Sequence, residues 1–464
     1  MPKIPATINT VLANFKAVSS FPQFAMLIIL NNEYTHKWMS GNMQIQRLDT
    51  KGASMSHYAV IGGGIAGLTA ANALATAGSV TLFEQSCLLG GRAKTFESDG
   101  YLFNLGPHAL TAKGIAAQTF RKWGIRISGG NPSEQGPGKR AVIICNGVLY
   151  PAVGNFGSLI TSRMFSLQEK LELAKLLSFT KHSDVGRSES VNEWLSRRVQ
   201  SERVRQYVRM GLRTATYTSE FDHLSAKDAL RQLALTMKTG VVYLDGGWQV
   251  LVDDLARRAE SMGVKFRTGV NVERLSEVQA DRIIVATDRQ NAQRLTGLEL
   301  PPSIPAYAAC LDLGLTELPR DAPTVAFAVD RPLYYSVHSA AARLAPRGHA
   351  LVHVMKYLYG TSYDPQSVRE ELEKYADIVM PGWRDLLEQD RFLPHIMVSA
   401  AIPTISTNPV KSSAIGRVAF AGEWLTSQGL LADAAVSSAL EAARSVSQAG
   451  SIDTRSGSDT WQPR

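Results

Sequence analysis

The sequence predicts a three-layer α/β domain assembled from separated stretches of chain, with an α+β domain inserted between them. Three observations carry this expectation: a glycine-rich turn between strand and helix in "AVIGGGIAGLTAANAL" (59–74), a helical run in the middle of the chain, and the return of strand and helix alternation at "YLDGGWQVLVDDLARRAESMGVKFRTG" and "GRVAFAGEW". At 464 residues the chain exceeds what a single core usually holds. The segments divide it into an extension over 1–54, a first domain from 55–150, 244–300 and 411–450, an inserted domain from 151–243 and 301–410, and a polar, disordered tail over 451–464.

The first element to justify is the glycine turn. Glycine is costly inside helices and strands, so a cluster between them implies that the backbone needs room a side chain would take. Gly62, Gly64 and Gly67 form G-x-G-x-x-G directly after the strand-like "HYAVI". The first permits a tight turn, the second lets backbone approach a pyrophosphate, and the third lets helix pack on strand. The helix start also offers free N–H groups and a positive dipole end to phosphate. A helical stretch from Ile65 to Ala77, then Gly78 and the strand "SVTLFE", lead to Glu84, placed where an acid takes the ribose of a dinucleotide.

Composition narrows the classes. The formal charge of +8 is mild and its Lys and Arg are scattered, which excludes nucleic acid as a partner and leaves contact with an anionic membrane surface open. No apolar stretch approaches the roughly 20 residues of a spanning helix; "FAMLIIL" at 24–30 is too short. Cys87, Cys145 and Cys310 are too dispersed for a disulfide framework or a metal cluster and read as small buried hydrophobes in a reducing compartment. Over 1–54 periodicity is weak and Met55 stands just before the first strand, so a misassigned start is the first reading and a targeting segment its rival. Glu33, Asp49 and the absence of a small-residue cleavage pattern argue against a secretory signal. The expected location is cytoplasmic, with peripheral membrane contact as an option.

Along the chain, "LLGGRAKTF" and "YLFNLGPHAL" read as loops at strand ends, and "KRAVIICNGVLYPAV" as a hairpin around Asn146-Gly147. Ser166 with Glu169 marks a helix start, and "SVNEWLSRRV" and "SAKDALRQLAL" carry the same period. "VKFRTG", "VNVERL" and "DRIIVATD" read as strands, 305–402 as mostly strands around an amphipathic helix near 365–378, and "LADAAVSSALEAARSV" as a closing helix.

These residues resemble the superfamily of flavin-dependent amine oxidases, protoporphyrinogen oxidases and phytoene desaturases over nearly all of 57–448. The resemblance rests on "VIGGGIAGLTAANAL", "LGGRAKTF", "GPHAL", "DGGWQVLVDDLARRA" with "TGVNVERL", and "AFAGEWLTSQGLLADAAVSSALEAA". It implies a Rossmann-like domain holding FAD, with Gly62, Gly64 and Gly67 at the pyrophosphate and Glu84 on the adenosine ribose. It further implies Gly91 and Arg92 along the diphosphate and near the isoalloxazine, and Gly106, Pro107 and His108 passing close to the ring. Val270 would meet adenine through its backbone, Gly422 and Glu423 a phosphate-side or ribityl hydroxyl, and a helix starting near Ala434 would aim its N-terminus at the pyrimidine end of the flavin. Such a dipole favours the anionic charge of a reduced flavin. Trp248 and Trp424 read as packing.

Two departures matter. The strand "AYAACLDLGL" lacks the lysine of monoamine-oxidase-like enzymes, and no cysteine follows Cys310, so the flavin is expected to be noncovalent. By the period-two rule Tyr307, Ala309, Leu311 and Leu313 share a wholly apolar face, expected to form the wall above the flavin. The resemblance is closest to the phytoene-desaturase-like members. It implies an FAD-dependent oxidoreductase that takes a hydride from a carbon of a lipophilic substrate, an isoprenoid or polyene, with Arg92 and His108 nearest the reacting atoms, no metal and an unassigned electron acceptor. Oxidation of an amine or a porphyrinogen, redox-neutral polyene isomerisation and non-catalytic prenyl binding remain alternatives.

Overall fold

The computed structural model describes residues 56–449 apart from 132–133, 135–139, 154–155, 180–184, 186–187, 361–362, 406–411, 413–414 and 426–427. The expectations for 1–54 and 451–464 lie outside the described residues.

Five parallel strands form the first sheet, in the spatial order Lys265–Thr268, Ser79–Glu84, His57–Ile61, Arg282–Val285, Val418–Phe420. Numbered along the chain this is 3-2-1-4-5, the order of a nucleotide-binding doubly wound sheet. His57–Ile61, Arg282–Val285 and Val418–Phe420 are buried on both faces and accordingly read as nearly continuous apolar runs, whereas the edge strand Lys265–Thr268 is largely exposed. One face packs on the helices Ile65–Leu74, Gln249–Ser261 and Ala432–Ala449; the other meets Leu275, Ala292, Leu295 and Trp424. The expected FAD-type domain architecture is therefore present.

The second sheet has seven strands in the order Leu387–Ser399, Ala306–Leu315, Ala350–Leu358, Leu333–Val337, Val325–Ala328, Ala141–Cys145, Val148–Pro151. The hairpin at Asn146-Gly147 forms with both turn residues at positive φ (50° and 75°), the primed geometry that Asn-Gly favours. Its strands join this second sheet, through a parallel pairing of Ala141–Cys145 with Val325–Ala328, although they precede position 150. The helices Leu167–Phe179, Val191–Arg198, Glu202–Thr216 and Ala226–Thr239 lie against one face, and Pro365–Val379 covers the other. The first of these helices is capped as the sequence predicts, by Ser166 with Glu169, and the other three start at Ser190 with Glu193, Ser201 and Ser225.

Some expectations are corrected. The first helix ends at Leu74 rather than Ala77. "VNVERL" is not a strand: only Leu275–Glu277 takes regular form, a short 3-10 turn, because Lys265–Thr268 already closes that edge of the sheet. Cys145 and Cys310 are buried, but Cys87 is exposed. The face with Ala309, Leu311 and Leu313 packs on the helix Pro365–Val379, whereas Ala306, Ala308 and Cys310 turn inward to the helical insertion. An amphipathic helix needs an apolar surface to cover, and that requirement claims the wholly apolar side of the strand.

Candidate functional site

A cavity of about 590 Å³ lies between the C-terminal ends of the parallel strands and the edge of the second sheet. That position is where open parallel sheets bind ligands. The glycines shape its floor. Gly62 has φ +111°, and a Cβ on it would sit 2.5 Å from Ala286 O; one on Gly67 would sit 1.8 Å from Gly62 O. Gly64 differs, since a Cβ there would meet only Gly90 O at 3.9 Å, so its absence leaves open space above the start of Ile65–Leu74. That helix start has no side-chain cap, and its N–H groups face the cavity floor unclaimed by a cap.

Glu84 is fixed beside this floor: Gly63 N donates to its Oε2 at 2.6 Å and Ser86 N to its Oε1 at 2.8 Å. A carboxylate has about four acceptor positions, so two remain for hydroxyls. Val270 N donates to Glu84 O at 3.0 Å, which brings the backbone of 270 to the same end of the cavity.

At the far end, Arg92 Nη1 pairs with Glu423 Oε1 at 2.5 Å and donates to Val398 O at 3.3 Å. Glu423 also accepts Ala400 N, so one acid joins the glycine-pair loop to the end of the Leu387–Ser399 strand. His108 Nδ1 donates to Gly106 O at 3.0 Å, and its ring meets Trp248 edge-on at 5.0 Å. Burial lowers the His108 pKa to about 4, so the ring is neutral at pH 7. Tyr217, at φ 56° as the residue ending Glu202–Thr216, also lines the cavity.

Of the residues singled out from sequence, Gly62, Gly64, Glu84, Gly91, Arg92, Pro107, His108, Val270, Gly422 and Glu423 all line this one cavity. Gly67, Gly106 and Ala434 do not: Gly67 packs on the turn, Gly106 faces Ile396, and Ala434 is buried while Leu431, Ala432 and Ala435 line the wall. Trp248 and Trp424 are buried as expected, though both also contribute to the lining.

Sequence reading missed two buried acids. Asp433 Oδ1 accepts Ala116 N at 2.8 Å while Oδ2 has no partner; burial raises its pKa to about 6, with the Ala116 bond opposing. Asp312 is held by His353 Nδ1 at 2.5 Å and Arg391 Nη2 at 2.5 Å. Burial pushes the Asp312 carboxyl up, but the neighbouring His353 and Arg391 outweigh it and leave its pKa below the ordinary value. The lone charge in "AYAACLDLGL" was the available signal for this second group.

A match to the family described as flavin containing amine oxidoreductase covers residues 65–309, just over half of the chain. The chain belongs to this family. Among curated relatives, the 4,4'-diaponeurosporene oxygenase of Staphylococcus aureus (strain Mu50 / ATCC 700699) is 24% identical over 261 residues, 48% of this chain and 51% of that protein. The chain thus spans about half the length of the curated relatives it matches. Among solved structures, an oxidoreductase from Methanosarcina mazei superposes with a TM-score of 0.67 at 16% identity, over 83% of this chain and 99% of that one. A putative protoporphyrinogen oxidase from Exiguobacterium sp. 255-15 gives 0.63 at 18% identity, over 86% and 100%. These structural likenesses show the fold. Family membership implies a flavin, and the open cradle at Gly64, the uncapped helix start and the acceptor positions on Glu84 suit its phosphates and ribose. No helix among the described residues is long and apolar enough to cross a membrane.

Proposed function

We propose that the protein is an FAD-dependent oxidoreductase that removes a hydride from a carbon of a lipophilic substrate, in the manner of a desaturase acting on an isoprenoid or polyene. The observation that carries this reading is the chemistry of the cavity wall beyond the glycine turn. Leu105, Ala109, Ile396, Met397 and Val398 contribute to it, and no lysine lines it among the described residues. Its acids are paired or stand away from this wall: Glu423 pairs with Arg92, Glu84 lies at the glycine-turn end beside the N–H groups of Gly63 and Ser86, and Asp288 caps the helix Arg289–Thr296. An ammonium ion would enter without a free carboxylate to replace its hydration, which is costly. The name of the curated relatives, oxygenases of 4,4'-diaponeurosporene, supports the same substrate class.

FAD, when bound, supplies the hydride acceptor. In this reading Gly62, Gly64 and Gly91 cradle the diphosphate, Glu84 takes the adenosine ribose and the backbone at Val270 the adenine. Arg92 and His108 flank the reacting carbon, His108 as a neutral ring whose Nδ1 is committed to Gly106 O. A hydrocarbon brings no charge into the site; once its hydride has left, the neighbouring carbon gives up a proton to water and the double bond forms. The flavin is held noncovalently, a view favoured by the lining, to which none of Cys87, Cys145 and Cys310 contributes.

The test is anaerobic incubation of the purified flavoprotein with polyenes, small primary amines and porphyrinogens while following flavin absorbance. Bleaching by a polyene supports the reading. Fast bleaching by a small amine in aqueous buffer, with peroxide released on aeration, would promote amine oxidation in its place. Binding of a polyene with isomerisation and no bleaching would promote the redox-neutral alternative.

A further inference from the structure

Among the described residues of 151–243, Tyr217 alone reaches the cavity lining. It does so from an uncommon backbone position. The helix Glu202–Thr216 ends on it, with its N–H donating to Arg213 O at 2.8 Å and its φ at 56°. At a left-handed helix end the residue is usually Gly, sometimes Asn, because a larger side chain crowds its own backbone. A tyrosine there costs backbone energy, and such outliers gather where a side chain is needed at a ligand. Thr216 and Thr218 on either side are buried, and the ring of Tyr357 stands 6.4 Å from that of Tyr217, so packing fixes where the phenol lies.

The end of that side chain is polar and unclaimed. The hydroxyls of Tyr335, Tyr363 and Tyr375 are sealed in the interior without a partner; that of Tyr217 also has none among the described residues, but it is not one of the sealed atoms. Its open surface belongs to the cavity that the residue lines. Burial raises its pKa well above the ordinary 10, so the phenol is a neutral donor at any physiological pH. Beyond the glycine turn the wall includes Leu105, Ala109 and Ile396, and Glu423 there is paired with Arg92. A pure hydrocarbon pressed against the phenol would take its O–H out of water with nothing in exchange, a loss that interiors seldom carry. A ligand oxygen removes that loss. A carbonyl suits a lone donor best, since it accepts and brings no proton of its own, whereas a hydroxyl facing the phenol strands one of the two hydrogens.

We propose that Tyr217 selects the substrate, its hydroxyl donating a hydrogen bond to the carbonyl oxygen of an isoprenoid ketone or aldehyde. This deepens the reading of a lipophilic substrate and rests on it for the apolar body of the ligand. The substrate class narrows from isoprenoids in general to those that carry a carbonyl. Tyr217 binds and orients that group; the hydride acceptor is unchanged.

The test titrates the flavin-loaded protein, kept anaerobic, with farnesylacetone and with the hydrocarbon in which a methylene group replaces its carbonyl oxygen, followed by tryptophan fluorescence. Tyr217→Phe keeps the ring and removes the O–H. Because that hydroxyl has no partner among the described residues, the thermal midpoint of the variant should match the wild type. Affinity for the ketone is expected to fall roughly tenfold in the variant, with affinity for the hydrocarbon kept. On binding to the wild-type protein the carbonyl stretch of the ketone, read by infrared difference spectroscopy, should move to lower frequency, and Tyr217→Phe should abolish that shift. No binding of the ketone, an unchanged ketone affinity in Tyr217→Phe, or an equal loss for both ligands overturns the proposal; unchanged affinity is also the outcome if water satisfies the phenol. Flavin content and anaerobic bleaching, measured on the same preparations, report separately on the oxidoreductase reading, so ketone binding without bleaching counts against that reading and not against Tyr217.

Discussion

The two sheets meet at one cavity and furnish it in different ways. The parallel sheet contributes mostly backbone: glycines, a helix start and an acid held by two N–H groups, all within residues 62–92 of the chain. The seven-stranded sheet contributes the side chains of Ile396, Met397 and Val398 from its edge strand, and behind them register alone aligns Arg391, Asp312, His353 and Ser336 of four strands into one row. A backbone site tolerates change in neighbouring side chains but no added Cβ. A side-chain row is the opposite, being indifferent to glycine content and sensitive to the loss of any one member.

The sharpest way to break this contrast is at Arg391. Arg391→Met removes the guanidinium that satisfies Asp312 and two carbonyls, and should destabilise the protein by about 3–5 kcal/mol, the cost of stranding a buried charge. Thermal unfolding and soluble yield measure it, and an unchanged midpoint would show that the row carries little stability.

On the parallel side the effect should separate folding from binding. Gly67→Ala forces a Cβ to within 1.8 Å of Gly62 O and should cost about 1–3 kcal/mol or more of stability. Gly64→Ala meets only open space, so the fold should survive while FAD affinity drops by at least about tenfold, about 1.4 kcal/mol. Equilibrium dialysis of FAD against a refolded apoprotein distinguishes the two variants. Retained affinity in Gly64→Ala would move the diphosphate elsewhere.

A similar effect is expected at Glu84. Glu84→Ala removes charged hydrogen bonds worth about 1.5–3 kcal/mol, or roughly ten- to hundredfold in FAD dissociation constant. An unchanged constant would argue against ribose binding there.

The smallest effect belongs to Asp433 and depends on pH. Its folded pKa of about 6 lies above the ordinary 3.8, so the folded state binds the extra proton between these values and loses stability as pH rises through them. Asp433→Asn keeps the acceptor for Ala116 N and removes the buried charge. It should raise stability by about 1–3 kcal/mol above pH 6 and change it little below pH 4. Thermal midpoints at pH 7.5 and pH 4 check this, and an equal shift at both would assign the effect to packing.

Legibility followed the same division. The placing of the glycine turn, Glu84, Arg92 and Glu423 at one cavity was readable because each belongs to a motif of residues adjacent in sequence or in family order. The hairpin at 146–147 was readable as a hairpin, but its assignment to the seven-stranded sheet depends on a parallel partner at 325–328, far away in the chain. For 306–315 the period-two rule correctly put Asp312 with Cys310 and Ala308, while the expected wall above the flavin fails, since no residue of this strand lines the cavity. Two covers compete for this strand, and the helix Pro365–Val379 takes the apolar face. "VNVERL" failed for want of a neighbour, since alternation encodes a strand only where another strand can pair with it. His353, Ser336 and Arg391 had no local signal, because the row exists only once four strands are in register.

The threading of the parallel sheet also governs how the protein is made. His57–Ile61 sits at its centre, yet its neighbour on one side, Arg282–Val285, and the strand beyond it, Val418–Phe420, leave the ribosome far later. At ordinary elongation rates the wait from the first strand to the last is on the order of 20–70 s. Throughout that interval the nascent chain exposes an apolar strand edge and the uncovered side of Ile65–Leu74, against which the closing helix Ala432–Ala449 eventually packs. A ribosome-associated holdase is therefore expected on chains stalled between residues 90 and 410, and a stop codon before 418 yields a product lacking both the last strand and the helix that seals it.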